Sequence, residues 1–279
     1  MKDGLYSRAV GPGAFRAAAL LAACLALTWS AGGCARPRST ATALPAELKI
    51  GITPNYPPLA FKENGQIKGV EADFASLLGK QLGVKTTLVE LPWEELIPAL
   101  SGGKIDVIMS GMSITGPRTE YADFTVPYMP VGQMALVRKV ELSRRRDQGA
   151  MDQTGVRVGV IQNTTGDYWA RRNLKQATVM GFTSVDEGVA ALRGDSIDYF
   201  VTDAPIVWQL TSRAAKQNQD LAGVYRPLTT EYLAWAVRRD DDSLRHQLNT
   251  TLLLWEQNGQ LVDVLDDWIT TRRVTLQTK

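Results

Sequence analysis

The sequence predicts an α/β protein made of two lobes of similar design, each a mostly parallel sheet flanked by helices. Three observations carry this reading. Short apolar runs alternate with amphipathic stretches from residue 48 onward, the pattern of a parallel sheet with helices on its faces. The alternation then starts again near residue 157. Finally, "LIPALSGGKIDVIMSG" (96–111) lies over "GVAALRGDSIDYFVTD" (188–203) without a gap, matching Ala99 with Ala191, Leu100 with Leu192, Gly102 with Gly194, Ile105 with Ile197 and Asp106 with Asp198. Two such lobes leave a cleft between them.

Taken in order, "LKIGIT" (48–53) reads as the first strand. "VEADFASLLGKQLG" (70–83) places its apolar residues at helical spacing and stops on Gly83. "KTTLVEL" (85–91) is a strand, "PWEELIPALSGG" (92–103) a short helix opened by proline, and "IDVIMSG" (105–111) a strand. In the second half "RVGVIQ" (157–162), "ATVMGF" (177–182) and "IDYFVTD" (197–203) are strands. "GDYWARRNL" (166–174) and "SVDEGVAALRGDS" (184–196) are helices between them. The tail (240–269) predicts two helices broken at Asn258-Gly259, with Asp241 or Asp242 as N-cap. Leu248, Leu252 and Trp255 share one face there, and Trp255 and Trp268 read as packing residues.

The N-terminal 33 residues read as a leader. Lys2, Arg8 and Arg16 form a positive region, and "AAALLAACLALTWSAGG" is an apolar stretch of small residues, a secretory signal. The ending "SAGGC" resembles the bacterial lipoprotein signal, with Cys34 as the lipidated residue, although alanine stands where leucine is usual. "LAAC", ending at Cys24, matches that consensus better but leaves a very short apolar region after Arg16. Cys34 is the preferred site. The small residues and the Gly-Gly pair argue against a transmembrane anchor. A single acyl chain binds membranes only marginally, so a stable tether implies more than one. A polar, Pro-containing linker follows over 34–46.

Both cysteines lie in the leader or at the residue directly after it, so the folded part is expected to hold no disulfide, thiol nucleophile or Cys-based metal site. The single histidine, His246, sits in the charged stretch "RRDDDSLRHQL" and reads as an exposed helix residue. A net charge of +2 with no strongly basic segment excludes nucleic acid as the main ligand. Arg144, Arg145 and Arg146 read as a solvated loop. No cofactor or metal is expected.

Ligands of open α/β sheets bind beyond the carboxyl ends of the strands. Three segments reach that position: "TPNYPP" (53–58), "SGMSITGPR" (110–118), and "QNTTGD" (162–167) with "TDAP" (202–205). Together they suit a free α-amino acid. Arg118 can offer its planar fork to the carboxylate. N–H groups near Gly111 and Ser113, and near Thr165 and Gly166 where a helix begins, can complete the anion's shell. Asp203 can take the ammonium, helped by Ser110, while Tyr56 and Trp93 wall the apolar side. Each also has a plain reading: a surface arginine, a helix cap at "NTTG", and an N-cap at Asp203 before Ala-Pro.

Three longer stretches carry a family resemblance. "YPPLAFKENGQIKGVEADFASLLGKQLG", "WEELIPALSGGKIDVIMSGMSITGPRTEYADFTVPY" and "VGVIQNTTGDYW" resemble the bacterial extracellular solute-binding proteins of family 3, the receptors of polar amino-acid ABC importers. The resemblance runs from about residue 48 to 270. It implies a two-lobed periplasmic-binding-protein-like fold of type II, with two crossover hinge strands around 129–137 and 225–237. Lobe 1 is then 47–129 plus 231–272, and lobe 2 is 130–230. It implies a monomeric receptor on the extracytoplasmic face of the cell envelope, lipid-anchored, that closes on an amino acid and delivers it to ABC transporter membrane subunits. It implies Arg118 as the carboxylate grip, with Ser110, Gly111 and Ser113 as first-lobe contacts. Thr165 adds a carboxylate contact, Asp203 binds the ammonium, and Tyr56 and Trp93 sandwich the side chain. Thr53 departs from the basic-amino-acid receptors, which carry an acid near this point, so a neutral or aromatic ligand is favoured over a cationic one.

Two alternatives follow. Some relatives are periplasmic cyclohexadienyl dehydratases, whose chemistry needs a proton donor in the cleft; Asp203 is the one clear cleft acid. A ligand-sensing module is the other, and it would need a partner protein for signalling.

Overall fold

The computed structural model describes residues 44–212 and 219–269. The leader, Cys24, Cys34, most of the 34–46 linker and residues 270–272 lie outside the described residues.

Two five-stranded sheets organise the chain. In the first, Lys85–Glu90, Glu47–Ile52 and Val107–Ile108 run parallel, and Ala236–Arg238 lies antiparallel between Val107–Ile108 and Ala122–Phe124. In the second, Thr178–Phe182, Arg157–Ile161 and Tyr199–Asp203 run parallel, and Gln133–Arg138 lies antiparallel between Tyr199–Asp203 and Leu221–Val224. The chain crosses between the sheets at Met129–Val131 and returns at Glu231–Leu233, and these two short strands pair antiparallel.

The repeat seen in the sequence has a physical basis. Asp106 Oδ2 accepts the Lys49 N–H at 2.9 Å, and Asp198 Oδ2 accepts the Arg157 N–H at 2.8 Å, each at the start of the neighbouring parallel strand. Ile105 and Ile197 then fold over glycines in those strands: a Cβ on Gly51 would come within 2.3 Å of the Ile105 side chain, and one on Gly159 within 2.4 Å of Ile197. The antiparallel strands complete the likeness. Arg238 donates to the Ile105 carbonyl at 2.8 Å, and Arg138 to the Ile197 carbonyl at 2.7 Å.

Helix boundaries follow local chemistry. Val70–Leu82 ends at Gly83 with φ 66°, the left-handed C-cap that glycine adopts without strain. Asp241 accepts the Leu244 N–H at 3.1 Å and starts Asp242–Asn258, which Gly259 breaks at φ 87° before Gln260–Trp268 begins. Leu244, Leu248, Leu252 and Trp255 bury one face of that helix. Trp255 stacks on Phe74 at 5.7 Å between ring centroids, and Trp235 meets both rings edge-on. Trp268 is half-buried against Phe61 and donates to Asp73 at 2.7 Å. His246 is exposed on its helix.

The arginine run corrects the sequence reading. Leu142–Arg145 is a helical turn, not a solvated loop. Arg145 reaches Glu141 at 2.9 Å and Asp198 at 2.7 Å and lies over the Tyr199 ring, and Arg144 also pairs with Glu141. Glu141 and Asp198 are both buried, and pairing with the arginines offsets the cost of burying their charge. Of the three arginines only Arg146 is left exposed without a recorded ion pair among the described residues.

Candidate functional site

The Ser110–Ser113 loop leaves the carboxyl end of Val107–Ile108, where Met109 N–H still bonds the Gly51 carbonyl at 3.0 Å. Ser110 is buried, and its hydroxyl accepts the Thr53 N–H at 2.9 Å, joining the two first-lobe segments. At Ser113 the backbone meets the returning chain: Ile114 N–H bonds the Tyr232 carbonyl, and the Met112 carbonyl accepts from Ala234. The N–H and C=O of Ser113 therefore face the opposite way. The carbonyl accepts from Arg118 Nη1 at 2.8 Å, and the hydroxyl donates to Glu231 at 2.7 Å.

Arg118 is carried by the short turn Gly116–Thr119, which Thr115 caps through its hydroxyl and Pro117 opens. Its guanidinium lies 5.2 Å from the Trp93 ring centroid, a cation–π contact. Among the described residues no carboxylate lies within ion-pair distance of it. Burial lowers its pKa below the usual arginine value, opposed by the carboxylates of Asp203 and Glu231.

The second sheet supplies the facing wall. The helix Thr165–Asn173 is capped by Thr164, whose hydroxyl accepts the Asp167 N–H and whose carbonyl accepts that of Tyr168. This leaves the N–H groups of Thr165 and Gly166 without an intrahelical acceptor. Asp203 occupies the N-cap position of Ala204–Thr211 yet makes no capping bond. Its carboxylate accepts instead from Tyr56 Oη at 3.0 Å and from Gln133 Nε2. Asp203 is 4 % exposed, and burial pushes its pKa up to about 7. The Glu231 carboxylate adds to that rise, while the Tyr56 and Gln133 hydrogen bonds and Arg118 oppose it.

All eight ligand-site residues read from the sequence (Tyr56, Trp93, Ser110, Gly111, Ser113, Arg118, Thr165 and Asp203) line one cavity of about 310 Å³ between the sheets. Direct contacts join the two walls: Tyr56 Oη to Asp203 and to Thr202 Oγ1, Trp93 Nε1 to the Asn163 carbonyl at 3.0 Å, and Asn55 to the Thr183 carbonyl at 3.2 Å. Tyr56 thus does more than wall the pocket; its hydroxyl holds the acid. Gly111 needs a correction in the other direction. Its N–H is spent on the Glu71 carboxylate at 2.6 Å, so it is not free for an anion, and the backbone is what it contributes. Its φ is +66°, and a Cβ would sit 2.7 Å from Leu59 Cδ1. Gly111→Ala is expected to destabilise the protein by about 1–3 kcal/mol, from left-handed strain plus displacement of a buried leucine. A lowered urea midpoint at unchanged slope checks it.

Sequence reading missed Gln133, Glu231 and Glu71. Gln133 is 1 % exposed and bridges Asp203 and Thr165. The amide in the apolar run "PVGQMALV" was the available signal. Among the described residues no group of three or more His, Cys, Asp or Glu forms a metal-binding cluster.

Two α/β lobes, two connecting strands and a cleft with an arginine facing a buried aspartate define a two-lobed binding protein of the type II periplasmic class. Residues 48–271 match the family described as "Bacterial extracellular solute-binding proteins, family 3", and the chain belongs to it. The chain is 28% identical over 222 residues to the L-cystine-binding protein TcyJ of Escherichia coli (strain K12), covering 79% of this chain and 82% of that one. It is 28% identical over 272 residues to the cyclohexadienyl dehydratase of Pseudomonas aeruginosa, covering 96% and 100%. Among solved structures, the ancestral amino acid-binding protein AncCDT-1, a precursor of cyclohexadienyl dehydratase, is 32% identical with TM-score 0.74, covering 80% of this chain and 96% of that one. A putative ABC transporter binding component of Wolinella succinogenes, complexed with lysine, is 28% identical with TM-score 0.78, covering 82% and 98%.

Proposed function

We propose that this protein is an extracytoplasmic receptor that closes on one free amino acid and presents it to an ABC importer. The observation that carries the reading is the cleft pair: Arg118, held by Ser113 and Trp93 with no carboxylate partner among the described residues, and across the cavity Asp203, buried and free of capping duty. A zwitterion completes both. Its carboxylate takes the guanidinium, the Ser113 N–H and the N–H groups of Thr165 and Gly166; its ammonium takes Asp203. Ser110 and Gly111 shape the floor, and Tyr56 and Trp93 flank the side chain. Because the ligand contacts both lobes, it favours the closed arrangement. The chain passes between lobes at 129–131 and 231–233, where the hinge lies.

The remaining lining supports an uncharged ligand side chain. Asn55, Gln162, Thr183 and Ser184 offer amides and hydroxyls, and Phe182 an aromatic face. Glu94, at the rim, is exposed and is the one carboxylate lining the cavity besides Asp203. Thr53 is buried, its hydroxyl spent on the Leu91 carbonyl. The receptor acts as a monomer, tethered through Cys34.

A thermal-shift screen of the twenty amino acids tests this. An amino acid present at a hundredfold excess over Kd should stabilise by about 2.7 kcal/mol, or about 5–10 °C in Tm for a protein of this size. Neutral polar or aromatic side chains are expected to lead; no response to any amino acid would remove the reading. One observation favours a second reading: Asp203, with its pKa near neutrality, can hold a proton where dehydratase chemistry would need a donor. Incubation with prephenate separates the two, since phenylpyruvate, water and carbon dioxide form faster than in a protein-free control only if the cleft catalyses the elimination.

A further inference from the structure

Glu71 is a buried acid that the cleft chemistry leaves unused. It is the second residue of the Val70–Leu82 helix and is fully buried. Its backbone is fixed, because its N–H bonds the Leu59 carbonyl at 3.0 Å and the Val70 N–H bonds that of Pro58 at 3.1 Å. Its carboxylate accepts from three places at once. Oε1 takes the Gly111 N–H at 2.6 Å and the Tyr128 hydroxyl at 2.7 Å, and Oε2 takes Trp235 Nε1 at 3.1 Å. Gly111 is the floor of the cleft. Tyr128 immediately precedes the crossing strand Met129–Val131, and Trp235 follows the returning strand Glu231–Leu233 by two residues.

We propose that Glu71 is the positioning residue of the cleft: a single carboxylate that ties the Gly111 loop to both strands joining the lobes, so that the ligand floor and the hinge move as one unit. The inference rests on the reading of the cleft as a site that closes on its occupant. Gly111, Tyr128 and Trp235 come from three separated segments, and among the described residues the Glu71 carboxylate hydrogen-bonds all three. The rings around it reinforce the tie, with Tyr128 and Trp235 at 5.5 and 5.8 Å from Phe74.

The charge on Glu71 matters because no cation answers it. No lysine or arginine among the described residues pairs with it. The titratable group facing it is Tyr128, itself pushed well above the usual tyrosine range by burial, Glu71 and Asp203, and therefore a neutral donor. The Gly111 loop and Trp235 bring no titratable group to it. Burial pushes the Glu71 pKa up to about 7, opposed by the three hydrogen bonds. A proton arriving there goes to Oε2, which has one donor to lose; Oε1 has two. Protonation therefore releases Trp235 first and frees the returning strand, while the ionised form holds all three partners.

The test uses the ligand-free protein, so it does not depend on knowing the ligand. In ¹⁵N-labelled wild type, the Gly111 amide and the Trp235 indole N–H are expected to titrate together with one midpoint near 7, and Glu71→Gln to abolish both titrations. Hydrogen exchange in Glu71→Gln should rise together at Gly111, at 129–131 and at 231–233. Should Glu71→Gln fail to fold, Tyr128→Phe keeps the carboxylate and removes one donor to its charged form, raising the Gly111 midpoint by about half a pH unit or more. For whichever of the twenty amino acids binds the wild type most tightly in the thermal-shift screen, Glu71→Gln should raise Kd at least fivefold at pH 8 with unchanged circular dichroism. Independent titration of the two N–H signals, or exchange rising in one strand alone, overturns the proposal. A protein that binds none of the twenty amino acids of the thermal-shift screen but shows the shared titration keeps this inference and counts against the receptor reading instead.

Discussion

Replacing Arg118 with alanine is expected to abolish amino-acid binding while leaving the ligand-free fold intact. The two halves of that outcome come from one geometry. The guanidinium is positioned without an internal ion pair: Ser113 supplies a carbonyl at 2.8 Å and Trp93 a π face at 5.2 Å, and among the described residues no carboxylate closes on it. Folding gains little from a half-buried charge so placed, so its loss should move Tm by only a few degrees. Binding loses far more. Truncating one partner of a buried, hydrogen-bonded charge pair costs roughly 2–5 kcal/mol, about 30- to several-thousand-fold in Kd. Arg118→Lys should rescue only part of this, since an ammonium cannot match the two oxygens of a carboxylate with a planar fork. Calorimetry against the best ligand of the thermal-shift screen decides it; an alanine variant with wild-type affinity would mean that the carboxylate is held elsewhere.

How much of this was legible in the sequence follows the range of each interaction. Local chemistry was readable. Gly83, Asp241 and Gly259 end or begin helices through groups a few residues away, and the sequence carries those signals directly. The repeated Asp106 and Asp198 were visible as matched letters, and the structure supplies their shared task of anchoring a neighbouring strand. "SGMSITGPR" was legible as a candidate site segment because its hydroxyls, glycines and arginine fall within nine residues, and Ser110, Gly111, Ser113 and Arg118 all line the cavity. Asp203 was ambiguous, since an acid before Ala-Pro is a normal N-cap; only the side-chain direction separates capping from binding. What stayed hidden depends on partners far along the chain. Gln133 meets Asp203 seventy positions away, Glu231 meets Ser113 at a separation of 118, and Glu71 meets Trp235 at 164. Arg145 failed for the same reason: nothing beside it in sequence announces Asp198.

The second large effect is expected at Asp203, and its sign on stability runs opposite to its sign on binding. Asp203→Asn should weaken amino-acid binding by about 30-fold or more, because the ligand's ammonium loses its charged partner. The same substitution should stabilise the ligand-free protein at alkaline pH. Burial raises the pKa of Asp203 from 3.8 to about 7. Between those values the unfolded chain has released the proton and the folded protein still holds it, so stability falls as pH rises and the loss is complete above about 7. At 1.36 kcal/mol per unit the full loss is at most about 4 kcal/mol. Asparagine keeps the shape without the charge. Its carbonyl oxygen can still accept from Gln133, and its amide can donate to the Tyr56 hydroxyl, which is free to turn toward Thr202 Oγ1 at 3.2 Å. Urea denaturation at pH 5 and pH 8 reads the difference: the variant should exceed the wild type by about 1.5 kcal/mol at pH 5 and by about 4 kcal/mol at pH 8. Part of the wild-type pH dependence should survive in the variant, because Glu71 is raised in the same direction. The ligand's ammonium removes the strain that the mutation removes, which is why binding is linked to pH: saturating the wild type with its amino acid at pH 8 should recover stability that Asp203→Asn already has without it. A variant that is less stable than the wild type at pH 8, yet binds as tightly, would show that the buried carboxylate is neither a cost to the fold nor the seat of the ammonium.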